Sequence, residues 1–343
     1  MSSHFIRSFI LVMLFATLVS SLKADELSVA FEKDTTFKSV SAVRVKGYYS
    51  KVLVERSNEN SVRLRAMLKS TKPEGYSIVT QISDNVLEVM VNYPKESWSS
   101  HTGELVLSVP DSMKIDIENT SGYCTVNEVS AKTINVITKS GKIYINKCEG
   151  NLVLSSSTGT INVDEVKGST RVKTKSADLS VFRVKGDVIS YSSSGMLRLN
   201  DITGDVKTAS TSGKQEMDNI KGNILAKSLS GSVKISVSEG AIKVQGSSGD
   251  VQLFQTAGVL DIKTTKGNQS GTRVSLSGNS KFSSTEGKIK MRFNMPKGSL
   301  KYQLLSEKAY IFALGKSKKK KLNIGDGSIL VESSSTTGAQ SYY

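Results

Sequence analysis

The chain is poor in the residues that metal sites and much catalysis require. Its 343 residues include two histidines, two cysteines, one tryptophan and four prolines. His4 lies in an N-terminal apolar leader, so His101 is the one histidine in the body of the chain. No His/Cys cluster of the zinc type is available. His101 sits in the polar stretch Trp98-Ser-Ser-His-Thr-Gly and reads as a solvated loop residue. Calcium-binding β-rolls carry Gly-Gly-x-Gly-x-Asp turns, and that motif is missing. After residue 24 no segment is long and apolar enough to cross a bilayer. No long stretch has a helical period either, and the abundance of Ser, Val, Ile and Thr beside 27 glycines fits an all-β chain.

What is present is a glycine beat. Gly141, Gly159, Gly195, Gly213, Gly231, Gly249 and Gly267 recur at eighteen residues, with Ala177 in the one vacant slot. A second series, Gly150, Gly168, Gly186, Gly204, Gly222, Gly240 and Gly258, runs half a period later. The unit is therefore nine residues used twice, the signature of stacked coils. Counting each glycine of the first series as place one, apolar residues fall at places three and five, as in Gly141-Lys-Ile-Tyr-Ile and Gly231-Ser-Val-Lys-Ile. That alternation is a strand with one buried face. A third apolar column occupies place eight: Val129, Cys148, Val166, Val184, Ile202 and Ile220. The other half-coil ends in Ser/Thr-rich steps such as Ser155 to Thr158, so one rim is apolar inside and the other hydroxyl-rich. Place six reads Asn127, Asn146, Asp164, Asn200 and Asp218, which predicts a left-handed corner there.

Stacking the eighteen-mers aligns Val126, Ile145, Val163, Val181, Leu199, Met217, Ile235 and Leu253 as one internal ladder. The predicted fold is a parallel β-solenoid of two nine-residue half-coils per turn. Eighteen residues at roughly 3.3 Å give a perimeter of about 59 Å, enough for two strands about 10 Å apart and a thin apolar filling. Gln215 departs from this pattern by placing an amide in a core column. Cys124 and Cys148 fall on inward places of neighbouring coils but 24 residues apart, out of register for a disulfide, and read as two buried thiols.

Four segments are expected. Residues 1–24, with Arg7, an apolar core from Phe9 to Val19 and Leu22-Lys23-Ala24, read as a cleaved secretory signal. Residues 25–118 keep a looser rhythm and read as a β-rich head, 119–293 as the regular coils, and 294–343 as closing strands. The head and the closing strands should cover edges that would otherwise pair with other chains.

At Val109-Pro110, Ile115-Asp-Ile-Glu-Asn-Thr-Ser-Gly122, the recurrent Thr211-Ser-Gly213, Leu229-Ser-Gly231 and Ser247-Ser-Gly249 units, and the closing Gly325-Asp-Gly-Ser-Ile-Leu-Val-Glu, the chain resembles a family of secreted bacterial repeat proteins described as adhesins. That family is a domain of largely unassigned function. The resemblance covers most of the chain and implies a β-solenoid in the cell envelope, with no catalytic residues to carry over.

Charge is the remaining functional signal. Without Arg7 and Lys23, 44 of the 46 Lys+Arg stand against 31 Asp+Glu, a net of +13. A basic exported rod favours anionic partners. The expected partner is a glycan, another anionic surface or an envelope protein, and not nucleic acid. The four consecutive cations Lys318, Lys319, Lys320 and Lys321 form a concentrated patch in a predicted turn and are the candidate contact. The dispersed lysines, including Lys167, Lys185 and Lys221, read as solubilising. No cofactor is expected. The function predicted is non-enzymatic adhesion by multivalent contact at the envelope or outside the cell; a periplasmic scaffold and a carbohydrate-active enzyme are the alternatives.

Overall fold

The computed structural model describes residues 26–94 and 100–343. The signal reading of residues 1–24 and the Trp98 step lie outside the described residues. The chain forms a parallel β-solenoid of about ten turns with ~18 residues per coil. Each coil contributes one strand to each of two sheets, whose inward side chains meet in a single continuous core from Val43 to Tyr342.

The internal ladder stacks as the period predicts. Val126 pairs with Ile145, then Val163, Val181, Leu199, Met217, Ile235 and Leu253 in unbroken register. Place eight stacks as well, from Cys148 through Val166, Val184 and Ile202 to Ile220, and continues as Ser238 and Thr256. Cys124 and Cys148 are buried free thiols.

Both glycine series pack against the coil below, and the second adds a backbone constraint. In the first, a Cβ on Gly231 would lie 2.1 Å from the carbonyl oxygen of Gly213 in the coil below, so a hydrogen is all that fits between turns. In the second, a Cβ on Gly204 would also lie 2.4 Å from the Gly186 carbonyl oxygen, and Gly204 has φ +148°, a backbone that L side chains avoid. The left-handed corner is not at place six. It falls one residue later, at Glu128, Lys147, Glu165, Arg183, Asp201, Asn219, Val237, Gln255 and Arg273, all with φ between 46° and 57°. Passing from inward places three and five to inward place eight requires one extra residue, and this bulge supplies it. Place six stays on the strand, where Asn146 donates to Asn127 Oδ1 at 2.7 Å.

At the hydroxyl-rich rim a buried Ser/Thr column closes the core: Ser210, Ser228, Thr264 and Ser335 each donate to the carbonyl of the glycine three residues on. Gln215 belongs to this rim. Its amide accepts from Thr208 Oγ1 at 2.5 Å and donates to Ser210 Oγ at 2.8 Å and to the Lys227 carbonyl at 2.6 Å. Gln269 and Gln340 repeat the donor half of that arrangement, giving a recurrent Ser/Thr-x-x-Gly-x-Gln module.

At both ends the stacking order departs from chain order. Strand Ala42–Gly47 lies between Val86–Asn92 and Met113–Asn119, and Ser50–Arg56 lies between His101–Val109 and Tyr123–Asn127. Antiparallel strands then cover this end, Ser77–Ser83 on one sheet and Val62–Ser70 followed by Ser28–Phe37 on the other. At the far end Ile329–Ser335 and Gln340–Tyr342 are inserted between the coil of Ser280–Phe293 and the long strand Leu300–Ala313. Leu300–Ala313 forms an antiparallel hairpin with Lys316–Ile324, which is the outermost strand. Phe282, Phe293, Tyr302 and Tyr342 pack ring against ring beneath it.

Candidate functional site

Stacking converts dispersed lysines into ordered files. On the sheet that contains Thr170–Thr174 and its successors, the outward positions form two columns. One runs Arg171, Ile189, Lys207, Leu225, Lys243, Asp261, Lys281. The other runs Lys173, Tyr191, Ala209, Lys227, Gln245, Lys263, Ser283. These seven coils present seven cations and one carboxylate. The opposite sheet, over its seven strands from Thr160–Lys167 to Gln269–Leu276, also carries seven cations, Lys167, Arg183, Lys185, Arg198, Lys221, Lys234 and Arg273, but sets seven carboxylates against them, Asp164, Glu165, Asp178, Asp201, Glu216, Asp218 and Glu239. The excess of positive charge is therefore sorted onto one face.

Within that face the cations come one per coil from Lys207 to Lys281, alternating between the two columns: Lys207, Lys227, Lys243, Lys263, Lys281. All five are exposed. Lys243 pairs with Asp261 at 2.8 Å and Lys281 approaches Glu332 at 3.8 Å. Lys207, Lys227 and Lys263 have no ion pair among the described residues. The Ser/Thr-rich rim borders this face on one side, and the strand starts at Asp187 and Asp205 border it on the other.

The predicted patch is placed differently from its expected setting. Lys318, Lys319, Lys320 and Lys321 lie not in a turn but within the edge strand Lys316–Ile324. The hairpin partner Leu300–Ala313 imposes the extended conformation, and a bulge between Leu305 and Tyr310 is matched by φ +70° at Lys320. That bulge carries the strand from one sheet to the other and splits the patch. Lys321 pairs with Leu305 and joins the column of Lys263 through Ser334 and Ser283. Lys320 lines a groove of about 830 Å³ with Lys263, Lys281 and the hydroxyls of Ser283, Ser284 and Thr336. Lys318 and Lys319 edge the opposite sheet, where the Lys319 ammonium lies 4.8 Å from the centre of the Tyr310 ring.

Other candidates resolve structurally. Lys167 pairs with Glu149 on the apolar rim and holds that carboxyl below its ordinary range. Arg183 bridges Asp164 and Glu165 on the same rim. The aspartates that follow a glycine at 187, 205 and 250 bond turn amides: the carboxylates of Asp187, Asp205 and Asp250 accept backbone N–H groups of the next coil at 2.8–2.9 Å. Among the described residues no three His, Cys, Asp or Glu side chains are grouped to hold a metal. His101 is not a free loop residue. It opens a strand and packs against the rings of Tyr49, Tyr76 and Tyr93, with centroids 4.8–6.0 Å away. Burial pushes the Cys124 thiol up to about 11, which removes it as a nucleophile at neutral pH. Among the described residues no helix is long and apolar enough to cross a membrane.

The ordered lysine files were missed in the sequence, although a signal exists there. Lys207 and Lys243, and Lys227 and Lys263, are each separated by two eighteen-residue coils.

Residues 182–320 match the Toastrack DUF4097 family model, a domain of unknown function. Among solved structures, a "putative adhesin" from Bacteroides fragilis aligns over 78% of this chain and 97% of its own at 14% identity, with a TM-score of 0.32. A "putative cell adhesion protein" from Clostridium sporogenes aligns over 91% of this chain and 99% of its own at 10% identity, with a TM-score of 0.16. A "putative adhesin" from Parabacteroides merdae aligns over 78% and 96% at 14% identity, with a TM-score of 0.25. No curated protein matches the chain.

Proposed function

We propose that this chain is an exported, non-enzymatic binding module that engages an anionic or glycan surface through the lysine-bearing face of its solenoid. The observation that carries this reading is the sorting of charge: seven cations and one carboxylate on one sheet, seven cations balanced by seven carboxylates on the other, over equal numbers of coils. Charges that merely solubilise strands have no reason to leave one side almost without carboxylates. Adjacent cations at ~8–10 Å repel each other by about half a kcal/mol per pair even in water, a cost that a bound polyanion would turn into attraction. Each contact is weak, and affinity comes from their number along a rigid rod.

The edge strand with Lys318, Lys319, Lys320 and Lys321 adds charge at one end of that face through Lys320 and Lys321. Its other role is to block pairing at the open edge, together with the antiparallel strands at the opposite end. Both features oppose end-to-end assembly and so weigh against the scaffold alternative. The deciding experiment measures binding to immobilised sulfated polysaccharide across a salt series. Retention that falls steeply with salt, and that is lost in a variant carrying Lys207→Glu, Lys227→Glu and Lys263→Glu but kept in one carrying Lys167→Glu and Lys185→Glu, is the expected result. Equal loss in both variants would overturn the assignment to this face.

A further inference from the structure

We infer that the ligand of the lysine-bearing face is a linear acidic polysaccharide lying along the solenoid axis, one sugar per coil, with its acidic groups alternating between the two edges of the sugar chain. The inference rests on the reading of this face as the anion-binding surface and narrows its ligand. The face is a ribbon rather than a field: two columns about 7 Å apart, with a step of about 4.8 Å from coil to coil. Five successive coils each offer one cation, and successive cations change column: Lys207, Lys227, Lys243, Lys263, Lys281. A β-1,4-linked pyranose chain in its extended two-fold form turns each sugar over relative to the last. A uronate of that linkage therefore projects its carboxylates to alternate edges, and its rise per sugar is close to the spacing of stacked strands. The protein's zigzag and the ligand's zigzag have the same period.

Two neighbours of the ribbon favour a sugar over other polyanions. The bordering rim carries Ser193, Ser194, Thr211 and Ser212 in successive coils, donors and acceptors suited to hydroxyl groups. Along the seven coils the face shows one aromatic ring, Tyr191, which is no platform for successive nucleobases. A lipid bilayer would need cations spread in two dimensions. Here Asp187 and Asp205 stand at the ribbon's edge, their carboxylates already committed to turn amides.

The test titrates the purified chain with β-1,4-linked oligomannuronates of increasing length, phosphatidylglycerol-containing vesicles and a single-stranded oligonucleotide. Affinity for the oligomannuronates is expected to rise with length and level off at about five sugars, one for each coil from Lys207 to Lys281. A rearranged variant, Leu225→Lys with Lys227→Leu and Asp261→Lys with Lys263→Asp, keeps composition and net charge but brings all five cations into one column. It is expected to bind oligomannuronate about tenfold more weakly, since two of five charge contacts are displaced. Should its circular dichroism differ from that of the parent chain, Lys207→Ala with Ala209→Lys and Lys243→Gln with Gln245→Lys provides the same comparison, bringing four of the five cations into the other column at unchanged composition and net charge. Equal affinity of parent and rearranged chain would overturn the zigzag match, as would tighter binding to vesicles or oligonucleotide than to the sugar. Failure of all three probes to bind would instead overturn the anion-binding reading itself.

Discussion

Replacing Gly231 by alanine tests the close approach on which the regular stack depends. The added methyl would sit 2.1 Å from the Gly213 carbonyl oxygen, 2.7 Å from its carbon and 3.0 Å from the Ser212 carbonyl oxygen. All three are backbone atoms, so no side chain can rotate away. The coils must part locally, which strains the neighbouring bonds from Ser230 N to Thr211 O at 2.7 Å and from Leu229 N to Ser210 O at 3.1 Å. One or two lost hydrogen bonds at ~1 kcal/mol each, added to an overpacking cost of about 1–3 kcal/mol, place the destabilisation near 3 kcal/mol. Gly298→Ala is the control, because nothing lies within 4 Å of a Cβ there, and its effect should stay within about 0.5 kcal/mol. Urea unfolding followed by far-UV circular dichroism gives both values from midpoints and slopes. Coincident midpoints for the two variants would refute the argument that inter-coil contact imposes the glycine beat.

Gln215→Ala leaves the Lys227 carbonyl and the Thr208 hydroxyl without their partner in a closed rim and should cost about 2–3 kcal/mol in the same urea assay. Cys124 and Cys148 should resist thiol reagents at pH 8 until denaturant is added, as followed by absorbance of a released chromophore. Stability should be fully present below pH 9 and decline as pH rises from 9 towards 12. The reason is that the Cys124 thiol is pushed up from 9.0 to about 11 and the Tyr302 hydroxyl from 10.0 to about 12 by burial, so the unfolded chain releases those protons first. A urea midpoint that does not change between pH 8 and pH 11 would contradict this. Lys318→Val, Lys319→Thr and Lys321→Val together should produce concentration-dependent association in sedimentation velocity, because they turn a charged edge strand into one that accepts a neighbour.

The regular coils were legible because one rule repeats: inward places three, five and eight, with a glycine wherever turns touch. Eight core positions from Val126 to Leu253 could be stacked from their spacing alone. The corner was misplaced by one residue because Asn and Asp at place six suggest left-handed backbone, whereas those side chains bond along the column and a chemically mixed series from Glu128 to Arg273 adopts the turn. The setting of Lys318 to Lys321 was not legible because a lysine run lacks strand alternation; pairing with Leu300–Ala313 makes it a strand. Nor do local patterns encode which distant strand slips between two others at each end. Of the candidate site, Lys320 and Lys321 reach the groove and the lysine column, and the remaining cations of that face emerge only when register is applied to charge as well as to apolar residues.

The intercalated ends govern how the chain can fold. A solenoid whose stacking follows chain order can grow one coil at a time from a seed at its start. Here Ala42–Arg56 gains parallel neighbours only after Val86–Val109 or Met113–Asn127 exists, and the slot for Ile329–Tyr342 is bordered by strands made earlier, Ser280–Phe293 and Leu300–Ala313. The segment with the fewest long-range closures is the middle run of coils, where each strand pairs with its predecessor eighteen residues back. Nucleation therefore belongs in the interior, and the two ends consolidate late, by closure of long loops rather than by extension.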